Sequence, residues 1–316
     1  MPARPPLRFS GRLCRALAFG LALCLAALLT AATSSAAQPA GGKPLVTLSA
    51  AELETGGTLI VTVDCRGLKA AGREPALSFG GQPVPLFPLP GRPPGVYAGV
   101  VGIPAAMAAG PAAITASLGE SAGRLSATVE VVVRPAVFGE DTLTVDPRHV
   151  RPSPQDLERI RREQAEVRQV YASGSRSRLW KEAFQVPVPG EMHGPFGTRR
   201  VFNGELQSQH NGADYRAQTG DPIRAAAAGV VRLAKDLFYS GNAVIVDHGA
   251  GVFTSYSHLS RIDVKPGQTV ARGAVIGLAG ATGRVTGPHL HWTVRIGAAN
   301  VDPVRFLEAM RGLGGA

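Results

Sequence analysis

Asn242-Ala243-Val244-Ile245-Val246, followed after two residues by the turn Gly249-Ala250-Gly251 and then by Val252-Phe253-Thr254-Ser255-Tyr256-Ser257-His258, reads as a β-hairpin with a short glycine loop. The same alternation of strand and turn continues on both sides. Downstream come the turn Lys265-Pro266-Gly267, a last strand His289-Leu290-His291-Trp292-Thr293-Val294, and a short helix capped at Asp302-Pro303. Upstream the pattern reaches back to about Phe184, so residues 184–310 are expected to form one mainly β domain. The composition agrees, because 39 glycines, 25 prolines and only 6% aromatic residues suit short strands and tight turns better than long helices. No internal repeat is present.

Further upstream, residues 136–183 read as a helical connector. Ser153 caps a helix, Pro154 suits its first turn, and Asp156 stands at the capping-box position. Leu157, Ile160, Val167 and Tyr171 recur at helical spacing and form an apolar stripe for a neighbouring domain, while Glu158 and Arg162 face solvent as an i,i+4 pair and Gly174 ends the pattern. Residues 43–135 carry the β-branched runs Thr58–Val63 and Ala127–Val133, separated by Pro and Gly clusters, and are expected to form an immunoglobulin-like β-sandwich. Cys65, at the end of the first run, reads as a small buried strand residue. The strands after Phe184 look self-sufficient in turns and motifs, so a chain starting near Trp180 is expected to fold alone.

Residues 1–37 have the form of an export signal. Arg4, Arg8, Arg12 and Arg15 precede the apolar run Ala16–Ala32, and Ser35 and Ala37 supply the small residues of a cleavage site. The other reading is an uncleaved membrane anchor. Cleavage leaves no stable membrane span and a periplasmic or envelope-associated protein. It also removes Cys14 and Cys24, so Cys65 has no partner for an internal disulfide. The formal charge of +10 falls to +6 once the four signal arginines are gone. Outside the cytoplasm that excess favours an anionic envelope polymer, and without basic runs interleaved with aromatics a nucleic-acid partner is not expected.

Chemistry concentrates in three segments of the last domain. In His210-Asn211-Gly212-Ala213-Asp214 the two polar ends would lie ~13 Å apart on a straight strand, too far to share an ion. Gly212 permits the bend that brings them together. In Gly287-Pro288-His289-Leu290-His291 the two imidazoles are at i and i+2, on one face and about 7 Å apart. Two imidazoles on one face are costly to bury without partners, so they are expected in a polar groove. In Tyr256-Ser257-His258-Leu259, Tyr256 and His258 are expected to share a face, with Tyr256 assisting. His248 reads as a structural residue in the hairpin turn, and His149 and His193 have no evident partner.

These segments, in this order, resemble the lysostaphin and LytM family of cell-wall metallopeptidases. The likeness covers roughly residues 187–307 and includes the text between the motifs: Phe196-Gly197-Thr198-Arg199-Arg200, Gly220-Asp221-Pro222-Ile223-Arg224-Ala225-Ala226, Gly229-Val230-Val231, and Thr282-Gly283-Arg284-Val285-Thr286-Gly287-Pro288. The resemblance implies a two-sheet antiparallel β domain with a groove. It implies one Zn²⁺ per chain held by His210, Asp214 and His291, with His289 and His258 left as the acid–base and oxyanion-polarising pair in either order. It implies hydrolysis of cross-linking peptide bonds in bacterial peptidoglycan, with D-alanyl cross-links the preferred target.

Two rivals stand beside this reading. Family members that have lost zinc ligands act as non-enzymatic activators of cell-wall amidases, but all five expected residues are present here. A biotinyl or lipoyl carrier is suggested by Val264-Lys265-Pro266-Gly267-Gln268-Thr269-Val270, yet its only lysine, Lys265, sits beside a proline in the wrong turn.

Overall fold

The computed structural model describes residues 44–68, 74–119 and 124–313. The expected export signal, residues 1–37, lies outside them. Among the described residues, no helix is long and apolar enough to cross a membrane.

The first domain is built from two packed sheets. One carries the strands Leu45–Leu48, Thr58–Asp64, Val96–Gly102 and Leu86–Pro88 in that spatial order. The other carries Glu52–Glu54, Leu125–Arg134, Gly110–Leu118, Ala76–Phe79 and Gln82–Val84. Alternating residues point into the space between them, so Leu59, Val61 and Val63 meet Ile114, Ala116, Val131 and Val133. Cys65 falls just past its strand and is half-buried, not fully buried as expected, because the strand stops at Asp64.

The second domain is organised by an eight-stranded sheet whose main path runs Met192–Gly194, Ala213–Arg216, His289–Ile296, Val252–Leu259, Gly241–Gly249, Gly229–Leu237 and Thr269–Val270, with Ala299–Val301 added beside His289–Ile296. The hairpin forms at the expected place, with Ala250 and Gly251 in the left-handed region at its turn. His248 belongs to the strand and not to the turn. It is fully buried, with Nδ1 donating to Ala228 O at 2.8 Å and Nε2 2.7 Å from Thr254 Oγ1.

The connector is less purely helical than its sequence suggests. Its Glu140–Leu143 segment pairs in parallel with Arg199–Phe202, which pairs in turn with Leu206–Gln209. Helix α1, Pro154–Ala172, starts at Ser153, whose hydroxyl accepts from Asp156 N. Val167, Val170 and Tyr171 pack on Leu233, Leu237, Ala243, Ile245 and Phe253 of the large sheet. Leu157 departs from the expected stripe and is 40% exposed. At that end the helix is held by ions instead, Arg148 to Asp156 and Arg159 to Asp236.

The core speaks against a second domain that folds alone. Ile60, on the opposite face from Leu59 and Val61, joins Phe87, Ala98 and Val100 in one apolar cluster with Trp180, Phe184, Val294, Val301 and Phe306. Phe87 meets Trp180 edge-on with ring centroids 5.4 Å apart, and Phe184 meets Phe306 of helix α2, Pro303–Met310, at 4.8 Å. At Gly102 an added Cβ would lie 2.9 Å from Val301 and 3.1 Å from Ile296, so the sandwich backbone rests directly on the second domain. Asp302 N–H donates to Gly56 O at 2.8 Å, and Arg305 pairs with Glu54.

Candidate metal centre

Gly212 has no room for a side chain, since a Cβ would sit 2.4 Å from Trp292 O. The chain bends there against its neighbour and only then begins the strand Ala213–Arg216. His210 is thereby held back beside Asp214, its amide bonded to Thr198 O and its carbonyl to Gly197 N. Across the sheet Asp214 stands directly opposite His291. His210 Nε2 lies 3.1 Å from Asp214 Oδ1 and 2.9 Å from His291 Nδ1, and His291 Nδ1 lies 2.8 Å from Asp214 Oδ1.

The tautomers explain why these three atoms suit a cation. A carbonyl oxygen only accepts, so His210 Nδ1, 2.8 Å from Pro195 O, carries the proton and Nε2 presents a lone pair. His291 Nε2 faces Asn211 Oδ1 at 3.1 Å, which leaves Nδ1 as its inward lone pair. Two imidazole lone pairs and a carboxylate oxygen thus converge, their ligand atoms all within 4.8 Å of one another. Burial works to raise the Asp214 carboxyl, but the adjoining His210 and His291 outweigh it and hold the group below the usual carboxylate range. Its other oxygen accepts from Arg200 at 2.5 Å. Gly194 makes space for this carboxylate, because a Cβ there would come within 2.7 Å of Asp214 Oδ2.

Two further histidines flank the cluster. His289 gives Nδ1–H to Gly287 O at 2.8 Å and holds Nε2 3.6 Å from Asp214 Oδ1. His258 gives Nδ1–H to Thr282 O at 2.8 Å, and its ring centroid lies 5.0 Å from that of His289. Burial, then the neighbouring His291 and His289, push His258 well below its ordinary value, so it is neutral. Its position corrects an expectation. The pairing shifts between Val244–Tyr256 and Asn242–Leu259, and His258 takes φ 66°, a bulge that turns it to the face opposite Tyr256. Tyr256 is fully buried in the core, where its hydroxyl accepts from Ala226 N at 2.8 Å and lies 2.8 Å from Thr254 Oγ1. It does not reach the cluster.

All five residues singled out in the sequence are therefore brought together. Arg200 was not singled out, although the quoted Phe196–Arg200 segment contains it, because only the sheet pairing aims it at Asp214. Pro195, Thr282 and Gly287 set the tautomers through backbone carbonyls, which side-chain identity does not reveal. His193, without a partner in the sequence reading, stands edge-on to His289 with centroids 5.9 Å apart, and His149 packs on Phe238 at 5.0 Å.

Neutral imidazoles and a carboxylate converging on an open β-sheet groove, with two more histidines alongside, define the class of a metal-dependent hydrolase. Residues 208–303 match the model of Peptidase family M23. A crystal structure described as a peptidase M23 from Pseudomonas aeruginosa is 36% identical, over 81% of this chain and 95% of that one, with a TM-score of 0.61. The peptidoglycan DD-endopeptidase ShyA of Vibrio cholerae is 45% identical over 96 residues, 30% of this chain and 22% of the relative. The DD-carboxypeptidase/endopeptidase Mpg of Neisseria meningitidis is 44% identical over 110 residues, 35% of this chain and 25% of the relative. The chain belongs to peptidase family M23. It spans about a quarter of the length of these curated relatives.

Proposed function

We propose that this protein is an exported zinc endopeptidase that hydrolyses cross-linking peptide bonds of peptidoglycan in the cell envelope. The observation that carries the reading is the convergence of His210 Nε2, His291 Nδ1 and Asp214 Oδ1, three acceptors facing one point. Those residues would hold one Zn²⁺, as two neutral imidazoles and one carboxylate suit it. Bound there, zinc lowers the pKa of a water and polarises the carbonyl to be attacked.

The chain's own groups do the proton work. His289, with Nδ1–H committed to Gly287 O, offers its Nε2 lone pair, takes the proton of the attacking water and passes it to the leaving amine. His258 is set in the same tautomer by Thr282 O. It would donate to the developing oxyanion from Nε2 once that atom has taken a proton from solvent. Arg200 holds Asp214 ionised and oriented.

The relatives named DD-endopeptidases support the D-alanyl cross-link as the bond cut. Glycan cleavage would call for a pair of carboxylates, and among the described residues the centre offers Asp214 alone. The test is digestion of purified sacculi with and without a chelator. Cross-linked dimers are expected to become monomers with glycan length unchanged, and about one equivalent of Zn²⁺ is expected to restore chelated protein. Release of disaccharides, or of whole peptides cut from the sugar, would refute the reading.

A further inference from the structure

The groove does not end at the histidines. A cavity of about 420 Å³ runs from His210, His258 and His291 past Ser255, Ser257 and Thr293 to Tyr171 of α1. Its charged lining beyond the histidines is Arg200, Arg284 and Arg295, and among the described residues no aspartate or glutamate lines it. Arg200 is matched by Asp214. The other two meet no carboxylate among the described residues.

Arg295 is half-buried, with its guanidinium 4.6 Å from the centroid of the Tyr171 ring. Its Nε is buried without a hydrogen-bond partner, and Nη1 reaches only Asn300 Oδ1 at 3.4 Å. Arg284 is held between the rings of Phe202 at 4.3 Å and Tyr239 at 4.7 Å. Of the half-buried arginines elsewhere, Arg66 has Asp64 and Arg232 has Asp247, while Arg178, stacked on Phe87 and Trp180, has no acid and donates instead to the carbonyls of Trp180 and Lys181. Burial disfavours the charge on both groove arginines and lowers their pKa values, and at Arg284 the nearby Arg200 adds to the effect. A desolvated cation without an anion is costly, and aromatic faces offset only part of that cost. An anion brought by a ligand completes the arrangement, and the planar guanidinium fork is matched to a carboxylate.

We propose that Arg295, with Arg284 lining the same cavity, forms a subsite for a free carboxylate of the bound peptide. The inference rests on the endopeptidase reading for the identity of the ligand as a peptide. Arg295 and His291 lie four residues apart on one strand, roughly 13 Å along it. The recognised carboxylate therefore stands about four extended residues from the bond at the histidines. Arg295 is a specificity-determining residue here and takes no part in the chemistry.

Two synthetic D-alanyl peptides test it, differing only in glutamate or glutamine about four residues from the D-alanyl bond. Calorimetric titration into full-length zinc-free protein is the primary measurement, and hydrolysis by the zinc-loaded protein is the second. The glutamate peptide is expected to bind at least ~10-fold tighter, the scale of one charge-assisted hydrogen bond. Arg295→Gln should bring that ratio close to 1, Arg295→Lys should keep part of it, and Arg284→Gln should reduce it. A merely structural contact with Tyr171 would move the melting temperature and leave the ratio alone. No preference in the wild type, or a preference that survives in a folded Arg295→Gln, overturns the subsite. Absence of hydrolysis alongside a retained binding preference would instead count against the endopeptidase reading, so the two failures are separable.

Discussion

The strands Thr58–Asp64 and His289–Ile296 both alternate and are both covered on two sides, yet they do opposite things. In the first, Leu59, Val61 and Val63 enter the sandwich core while Ile60 enters the cluster shared with the catalytic domain. In the second, Leu290, Trp292, Val294 and Ile296 face that same shared cluster, whereas His291, Thr293 and Arg295 face the groove. A period of two divides every strand between two environments. Where both are apolar, the strand joins two domains. Where one is a polar groove, it carries chemistry.

The most severe way to break this comparison is to remove the first strand. A chain starting near Trp180 is expected to be insoluble or loosely packed, because Trp180, Phe184, Val301 and Phe306 lose their cover. In the full chain, Phe87→Ala is expected to cost roughly 3–5 kcal/mol of stability, the usual range for a truncated core aromatic. Solubility, near-ultraviolet circular dichroism and denaturant melts report both. A monodisperse fragment that binds zinc and melts cooperatively would show that the shared core is dispensable.

The groove face should respond through chemistry. Asp214→Ala is expected to lose zinc and hydrolysis together, with some loss of stability because Arg200 is left without its acid. His289→Ala should keep its zinc, measured by metal analysis, and turn over ~100-fold more slowly. A reversal of that pair, with zinc lost from His289→Ala and kept in His291→Ala, would mean that the strand face is assigned the wrong way round.

A finer distinction concerns the buried histidine behind the sheet. Burial pushes His248 down to about 4, against an ordinary value of 6.5. Its folded form therefore binds fewer protons than the unfolded chain between those values, so its contribution is present above pH ~6.5 and is lost as pH falls toward ~4. The loss amounts to about 3 kcal/mol at most. Replacement by Gln should flatten that part of the stability–pH curve, read from melting temperatures. An unchanged slope would place the titration elsewhere. The smallest effect is expected at the exposed Leu157, where Ser should shift stability by no more than ~0.5 kcal/mol.

The sequence made some of this legible and hid the rest for identifiable reasons. The hairpin and the helix cap at Ser153 could be read because glycine positions and capping chemistry are local, and the five clustered side chains because their segments resemble those of a known family. The face of His258 could not, since its bulge puts a non-glycine residue at positive φ and reverses the alternation that Tyr256 suggests. The shared core was also hidden. Apolar residues on both faces of Thr58–Asp64 reveal that two partners exist, but not which ones. Glu140–Leu143 has too little apolar character to announce a strand, and it exists through parallel pairing with residues nearly sixty positions later.

The close approach at Gly102 has a consequence for how such proteins diversify. With no side chain of its own, that position accepts the shapes of Val301, Ile296 and Ala299 and can tolerate little change in any of them. A sandwich transplanted from a cousin would arrive with a backbone moulded to a different surface. Recombination is therefore expected to succeed when both halves travel together, and the heritable module is the pair.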